Sequence, residues 1–126
     1  MTWKTAQFND VVEAHGAGSS GLPKKEWKKE GKFPVIGQGE KDIEGWSDRE
    51  DLVIDPGNGL VLYGGHTRRA KHVSSPFIPG PNVKVLKPSG NLNSKFLFYF
   101  LNQTEIPNRG YADHFPLVRR ISIPIS

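Results

Sequence analysis

A cluster of hydrogen-bond donors follows a short apolar segment in the middle of the chain. Residues 60–63 are apolar, and after two glycines come His66, Thr67, Arg68, Arg69 and Lys71. Three cations, an imidazole and a hydroxyl suit hydrogen bonds to phosphate oxygens and to the edges of bases. The cluster therefore predicts a nucleic-acid contact. In it, Arg68 or Arg69 would form the bidentate bond to guanine, and Lys71 would hold a phosphate.

Two other stretches carry similar side chains. A glycine-containing loop near the C-terminus contains Arg109, Tyr111 and His114. Four lysines surround Trp27 near the N-terminus, and the candidates for phosphate contacts among them are Lys24, Lys25 and Lys28. An exposed Trp27 could stack on a base, whereas a Trp27 folded onto the core would leave the lysines solvated. We favour the second interpretation of this tryptophan.

Seven carboxylates lie within residues 40–55, among them Asp48, Glu50, Asp51 and Asp55. Carboxylates are preferred ligands of hard divalent cations. The spacing nevertheless lacks the glycine at the sixth position and the glutamate at the twelfth that a calcium-binding loop requires. The stretch predicts a solvated acidic loop, and neither a metal nor another cofactor is expected.

The bulk properties predict one domain spanning residues 1–126. The absence of cysteine excludes disulfides and thiolate metal sites and fits a reducing compartment. No apolar run approaches the ~20 residues of a membrane span, and no apolar signal-peptide core follows Met1. A cytoplasmic protein that does not contact membranes is the expectation.

The net charge of +4 is unevenly distributed along the chain. Residues 1–59 contain eight cations and eleven acids, a net charge of −3. Residues 60–126 contain nine cations and two acids, a net charge of +7. The C-terminal half is therefore the expected contact for a polyanion.

Two helices are predicted from apolar periodicity. The first spans residues 5–16, where four residues share one helical face: Phe8, Val11, Val12 and His15. The second begins after an Asn93 cap, and residues 96–101 are apolar around nearly the whole circumference. Such a helix should be buried across the sheet.

Strands and loops account for most of the remaining chain. Strands are predicted over residues 32–37, 43–47, 51–55, 60–63, 82–87 and 118–125. The segment at residues 64–71 is expected to be one basic loop at the end of the buried strand. The proline-rich residues 74–81 are expected to be extended.

The order of these blocks carries a resemblance over nearly the whole chain. It starts with Trp-x-x-x-x-Phe-x-Asp-Val-Val at the N-terminus and Phe-Pro-Val-Ile-Gly-Gln-Gly at residues 33–39. The most specific run is Leu-Lys-Pro at residues 86–88, Asn-Ser-Lys-Phe-Leu-Phe-Tyr-Phe-Leu at residues 93–101, and Ile-Ser-Ile-Pro-Ile at residues 121–125. Together they resemble the target recognition domain of the specificity subunit of type I restriction–modification enzymes.

The resemblance implies an α/β (α+β) fold, a single small domain with a twisted, mostly antiparallel sheet and flanking helices. It also suggests that the chain after Val12 is extended rather than helical. The implied function is non-catalytic reading of one half of a split double-stranded DNA target, which positions separate methyltransferase and restriction subunits. The loops after the strands would face DNA, including residues 66–71 and the loop of Arg109, Tyr111 and His114.

The chain also departs from the family pattern. A full specificity subunit has two recognition domains separated by long helices that form a coiled coil, and no heptad run is present here. Docking to a methyltransferase subunit through such a helix is therefore not predicted.

Two other functions remain open. A metal-dependent nuclease would combine Asp48, Glu50, Asp51 or Asp55 with His66 or His72. A protein-interaction module, such as an inhibitor of a restriction system, would dock through the aromatic residues 96–101.

Overall fold

A computed structural model describes residues 4–16, 21–89, 92–104 and 114–125. Short 3-10 turns occur at Lys24–Glu26 and Glu50–Leu52. The helices and strands, in chain order, are β1 (Lys4–Gln7), α1 (Phe8–Val11), β2 (Val12–Gly16), β3 (Phe33–Ile36), β4 (Gly45–Ser47), β5 (Leu60–Gly64), β6 (Arg69–Val73), β7 (Ile78–Pro79), β8 (Val83–Pro88), α2 (Ser94–Gln103), α3 (Phe115–Val118) and β9 (Ser122–Ile125).

A four-stranded antiparallel sheet in the order β2-β8-β5-β6 forms the centre of the molecule. The predicted buried strand is β5, and all five of its residues are buried. Tyr63 of β5 lies opposite Lys84 of β8 on one side and Ala70 of β6 on the other. Because successive side chains of a strand point to opposite faces, this register assigns every residue of the sheet to one of two layers.

The first layer covers one face with α2, α3 and the two-stranded sheet β1-β9. Its core contains Phe8, Tyr63, Leu97 and Phe115, all between 0% and 4% exposed. Burying each such side chain contributes roughly 1.5–3 kcal/mol to folding. Leu97 of α2 shares this core with Tyr63 of β5, so the helix packs across the sheet, as predicted.

The second layer is a three-stranded sheet in the order β4-β3-β7, in which β3 and β7 are parallel. It packs against the other face of the central sheet through Ile36 and Phe77. Trp27 packs on its small core, and the indole Nε1 donates a hydrogen bond to the Leu22 carbonyl at 2.8 Å. The interpretation of Trp27 as a residue folded onto the core is confirmed.

The helix predicted over residues 5–16 is wrong. Only Phe8–Val11 are helical, and the flanking residues form β1 and β2. Five residues of β2 pair with β8, from Val12 opposite Pro88 to Gly16 opposite Lys84. Backbone pairing with a distant strand outweighs the local periodicity, and the extended path after Val12 that the family suggested is confirmed.

Two predicted strands also differ from the structure. Residues 51–55 contain the end of a 3-10 turn and a single bridge between Ile54 and Phe77 instead of a strand. At the C-terminus, residues 115–118 are helical and the strand starts only at Ser122. Pro56 directly follows the first segment and Pro116 lies in the helical turn before the second, and proline lacks the N–H that a strand ladder needs.

The α2 helix agrees with its prediction at the N-terminus and differs along its surface. The Asn93 side chain caps it by accepting hydrogen bonds from the Lys95 and Phe96 backbone N–H groups at 2.8 and 3.2 Å. Its residues are not all buried, because Tyr99 is 59% exposed. The mostly antiparallel α/β architecture is confirmed, although its strands are divided among three sheets. In the part of the chain that the structure describes, no helix is long and apolar enough to cross a membrane.

Candidate nucleic-acid interface

Most of the predicted donors lie at the turn between β5 and β6 (residues 65–68) and at the first residue of β6, which together we call the tip (residues 65–69). The turn is shorter than the predicted basic loop, because Arg69 already pairs with Gly64 and begins β6. Arg69 and Lys71 are therefore strand residues. Both point to the face of the sheet that packs on the three-stranded layer, since Ala70 between them points to the other face.

The turn has an unusual backbone at its last residue. Arg68 has a φ of +56°, in the left-handed region that side chains with a Cβ disfavour. Its N–H donates to the Gly64 carbonyl at 2.8 Å, and the Thr67 hydroxyl donates to the same oxygen at 3.4 Å. The turn packs closely around Gly64, because a Cβ there would lie 2.6 Å from Oγ1 of Thr67 and 2.8 Å from Cγ of Gln38. The conformational strain falls on a candidate contact residue, which is where functional strain is often found.

Two side chains hold the backbone of the tip. Oε1 of Gln38 accepts a hydrogen bond from the His66 N–H at 3.1 Å. His114 donates its backbone N–H to the Gly65 carbonyl at 2.8 Å, and its ring Nδ1 lies 2.8 Å from the same oxygen. Because a carbonyl can only accept, Nδ1 carries a proton in this arrangement.

The side chains of the tip reach solvent from this fixed backbone. Thr67, Arg68 and Arg69 are exposed, and His66 is half-buried. A preorganised backbone reduces the conformational entropy that binding must remove. The tip therefore exposes a hydroxyl and two guanidinium groups on a backbone that is already held in place.

Lys71 does not join these residues. Its side chain is only 12% exposed, and its ammonium donates to the Lys41 carbonyl at 2.7 Å and lies 3.7 Å from Oε1 of Glu44. Burial lowers the pKa of Lys71, and the nearby carboxylates of Glu44 and Asp42 oppose that shift. The predicted phosphate contact does not fit this geometry, because the ammonium is directed at the protein. Lys71 instead ties the segment before β4 to the edge of the central sheet.

Of the three candidate contact residues near the C-terminus, only His114 lies in the part of the chain that the structure describes. His114 is 1% exposed, so the expected contact of its side chain with a duplex does not fit the structure. Its hydrogen bonds to Gly65 make it a support of the tip. Arg109 and Tyr111 lie outside the residues that the structure describes.

The N-terminal lysines belong to the side of the three-stranded sheet. Lys24 and Lys25 lie exposed in a 3-10 turn. The ammonium of Lys28 lies 3.3 Å from Oδ2 of Asp48, and its backbone pairs with Trp46 at β4. No hydrogen bond or ion pair between described residues joins these lysines to the tip.

The acidic residues of the nuclease alternative are engaged by cations and backbone donors. Oδ1 of Asp48 accepts the Lys32 N–H at 2.8 Å, which with Lys28 lowers the pKa of Asp48. Arg49 donates to both carboxylate oxygens of Asp51, at 2.9 and 2.8 Å, and lowers the pKa of Asp51. Within residues 4–16, 21–89, 92–104 and 114–125, no three His, Asp or Glu side chains converge to hold a metal. The described residues therefore offer this alternative no metal centre.

Sequence reasoning missed the residues that position the tip. Gln38 was noted only as part of the motif at residues 33–39, and its contact with His66 joins positions 28 residues apart. Asn102 of α2 was also missed, although its side chain bonds both the N–H and the carbonyl of Ala70, at 2.8 and 3.0 Å. This pair closes part of the free edge of β6. No local sequence signal marks either contact.

Comparison with known proteins identifies a family and a shared fold. A family model described as "Type I restriction modification DNA specificity domain" matches residues 1–113. No curated protein matches the chain. Among solved structures, the chain is similar to the S subunit of a type-I restriction-modification system from M. genitalium, with a TM-score of 0.74 and 17% identity. That match covers 99% of this chain and 34% of the other.

Two further structures show the same likeness. One is the HsdS subunit from Thermoanaerobacter tengcongensis, with a TM-score of 0.63 and 16% identity over 98% of this chain and 33% of that one. The other is a chain of a structure described as "Structural basis underlying complex assembly and conformational transition of the type I R-M system". Its TM-score is 0.72, with 19% identity over 98% of this chain and 34% of that one. The chain thus spans about a third of the length of these proteins. At such identities the likeness concerns the fold.

Proposed function

The chain belongs to the family of type I restriction modification DNA specificity domains, and on that premise we propose that it reads a sequence in double-stranded DNA with the tip. The observation that carries the proposal is the exposure of Thr67, Arg68 and Arg69 on a backbone held by Gln38 and His114. Donors carried on a held backbone suit base edges because the bonding pattern in the major groove is specific to each base pair.

The proposed roles follow from side-chain chemistry. Arg68 or Arg69 donates two hydrogen bonds to O6 and N7 of a guanine, which discriminates against other bases by about 1–3 kcal/mol. Thr67 and His66 contact neighbouring base edges or phosphates. Arg109 and Tyr111 remain candidates, since they precede His114, which is bonded to the tip.

In this proposal residues 1–126 act as one target recognition domain without a catalytic step of their own. Methylation and cleavage belong to separate methyltransferase and restriction subunits, and the domain selects where they act. Membership of the family supports this division of roles.

Selection from a randomised duplex library at about 50 mM and about 200 mM salt tests the proposal, because phosphate contacts weaken with salt whereas base preference should persist. The wild-type protein should enrich a motif at both concentrations. Arg68→Ala or Arg69→Ala should relax the preference at one position of that motif. Arg49→Ala is the matched control, because it removes an equal charge from a guanidinium that is bonded to Asp51.

Two results would contradict the assignment. A wild-type protein that enriches no sequence at either salt concentration does not read DNA. Variants at Arg68 and Arg69 that lower affinity equally for all sequences, with an unchanged motif, would show that the tip contacts only the backbone.

A further inference from the structure

A second pair of cations lies next to the tip, over the ring of Phe115. The ammonium of Lys84 is 5.8 Å from the ring centroid, and the guanidinium carbon of Arg119 is 4.9 Å from it. Cations at such distances are attracted to the face of an aromatic ring. The ring itself is fixed, because Phe115 is 4% exposed and packs edge-on against Phe8 at 6.0 Å.

Hydrogen bonding and charge distinguish this pair from Lys28 and Arg49 on the three-stranded layer. Nη1 of Arg119 donates to Oδ1 of Asn9 at 2.9 Å, a neutral acceptor that orients the guanidinium without cancelling its charge. Among the described residues, no carboxylate forms an ion pair with Lys84 or Arg119. Lys28 and Arg49, on the other layer, do have carboxylate partners. Two positive charges within 6 Å of one ring centroid, with no carboxylate partner among the described residues, form a local potential that attracts an anion.

The pair is joined to the tip through the sheet and through α3. Lys84 follows Val83, which pairs with Gly64 at the end of β5. Phe115 follows His114, whose backbone and ring both bond to the Gly65 carbonyl. The two cations and the tip therefore occupy the same end of the central sheet.

We propose that Lys84 and Arg119 form a phosphodiester-binding site that holds the DNA backbone while the tip reads bases. This inference rests on the proposed function and extends it to residues that the tip does not include. An arginine and a lysine complement a phosphate as a planar fork and a point charge. Such contacts set the position of the duplex and carry no sequence information.

Salt dependence of DNA binding tests the site with Lys84→Gln, Arg119→Gln and the double variant. Each lost phosphate contact should reduce the slope of log K against log salt by about 0.9. The ratio of Kd at about 200 mM to Kd at about 50 mM should then fall roughly 3–4-fold for each residue. The enriched motif should stay unchanged. Lys84→Arg and Arg119→Lys keep the charge and should retain most of the slope.

Lys87→Gln is the matched control, since Lys87 is an exposed lysine of the same strand, at the end that pairs with β2 opposite Glu13. Thermal unfolding checks that each variant folds. If the half-buried Lys84 does not tolerate glutamine, the exposed Arg119 decides the question alone.

The outcomes separate the two proposals. Failure of the wild-type protein to bind DNA at any salt concentration would remove the proposed function together with this site. Wild-type binding with slopes of the Lys84 and Arg119 variants equal to that of Lys87→Gln would remove the site and leave the function intact. A changed motif with an unchanged slope would also overturn the site, because it would mean that these residues read bases.

Discussion

Replacing Arg68 should separate the stability of the tip from its binding function. Arg68 adopts a φ of +56°, which costs a residue with a Cβ roughly 1–2 kcal/mol. Glycine avoids this cost but has a more flexible unfolded chain, which offsets about 0.4–1 kcal/mol. Arg68→Gly should therefore be more stable than Arg68→Ala by about 1 kcal/mol. Both variants lose the same side-chain contacts, so their difference reports the backbone alone.

Thermal denaturation and DNA selection on the two variants measure these effects. A difference of about 1 kcal/mol corresponds to roughly 4 °C in the unfolding midpoint for a domain of this size. Both variants should lose base preference equally, since neither has a guanidinium.

The next residue, Arg69, provides a control in which the glycine and alanine variants should rank in the opposite order of stability. Arg69 lies in β6, where glycine is less favourable than alanine by roughly 0.5–1 kcal/mol, so Arg69→Gly should be less stable than Arg69→Ala. Equal stability of the two Arg68 variants, or greater stability of Arg68→Ala, would refute the assignment of strain to this residue.

Three further changes test the supports of the sheet and the tip. Lys71→Met should lower the free energy of unfolding by about 1–3 kcal/mol, because the carboxylate of Glu44 loses its ion-pair partner. The DNA motif should not change; a changed motif would show that Lys71 belongs to the interface. Gln38→Ala should cost about 1–2 kcal/mol and accelerate hydrogen exchange at the His66 amide, whose acceptor it removes; unchanged exchange would argue against that hydrogen bond. Burial, together with the charge of Lys95, lowers the pKa of His72. The unfolded chain therefore binds a proton at His72 more readily than the folded chain. The free energy of unfolding should fall as the pH drops below about 6.5. Denaturation of His72→Gln alongside the wild type isolates this contribution, and identical pH profiles would contradict it.

Local signals in the sequence were sufficient for several parts of the molecule. The apolar run at residues 60–63 predicted the central strand, because a short buried strand requires apolar side chains on both faces. Asn93 predicted the start of α2, since its side chain bonds to backbone N–H groups of the next turn. The order of motifs was enough to suggest the family that the match over residues 1–113 establishes.

Tertiary pairing decided the elements whose local signals were ambiguous. The apolar spacing of residues 5–16 is helical, yet pairing with β8 makes Val12–Gly16 a strand. Composition alone placed Arg69 and Lys71 in a loop, where both would be free to contact a partner. The register of β6 turns Lys71 toward Glu44 and leaves Arg69 exposed at the tip.

The sequence by itself therefore determined the central strand, the cap of the long helix, the uneven charge and the family. Only the tertiary structure determined which donors are available to a partner and which groups hold them in place. Gln38 precedes the tip in the chain and His114 follows it, yet both bond to its backbone. Lys84 of β8 and Arg119, which follows α3, both lie near the ring of Phe115. Such contacts join residues tens of positions apart, and side-chain type and spacing carry no information about them until the strands have paired.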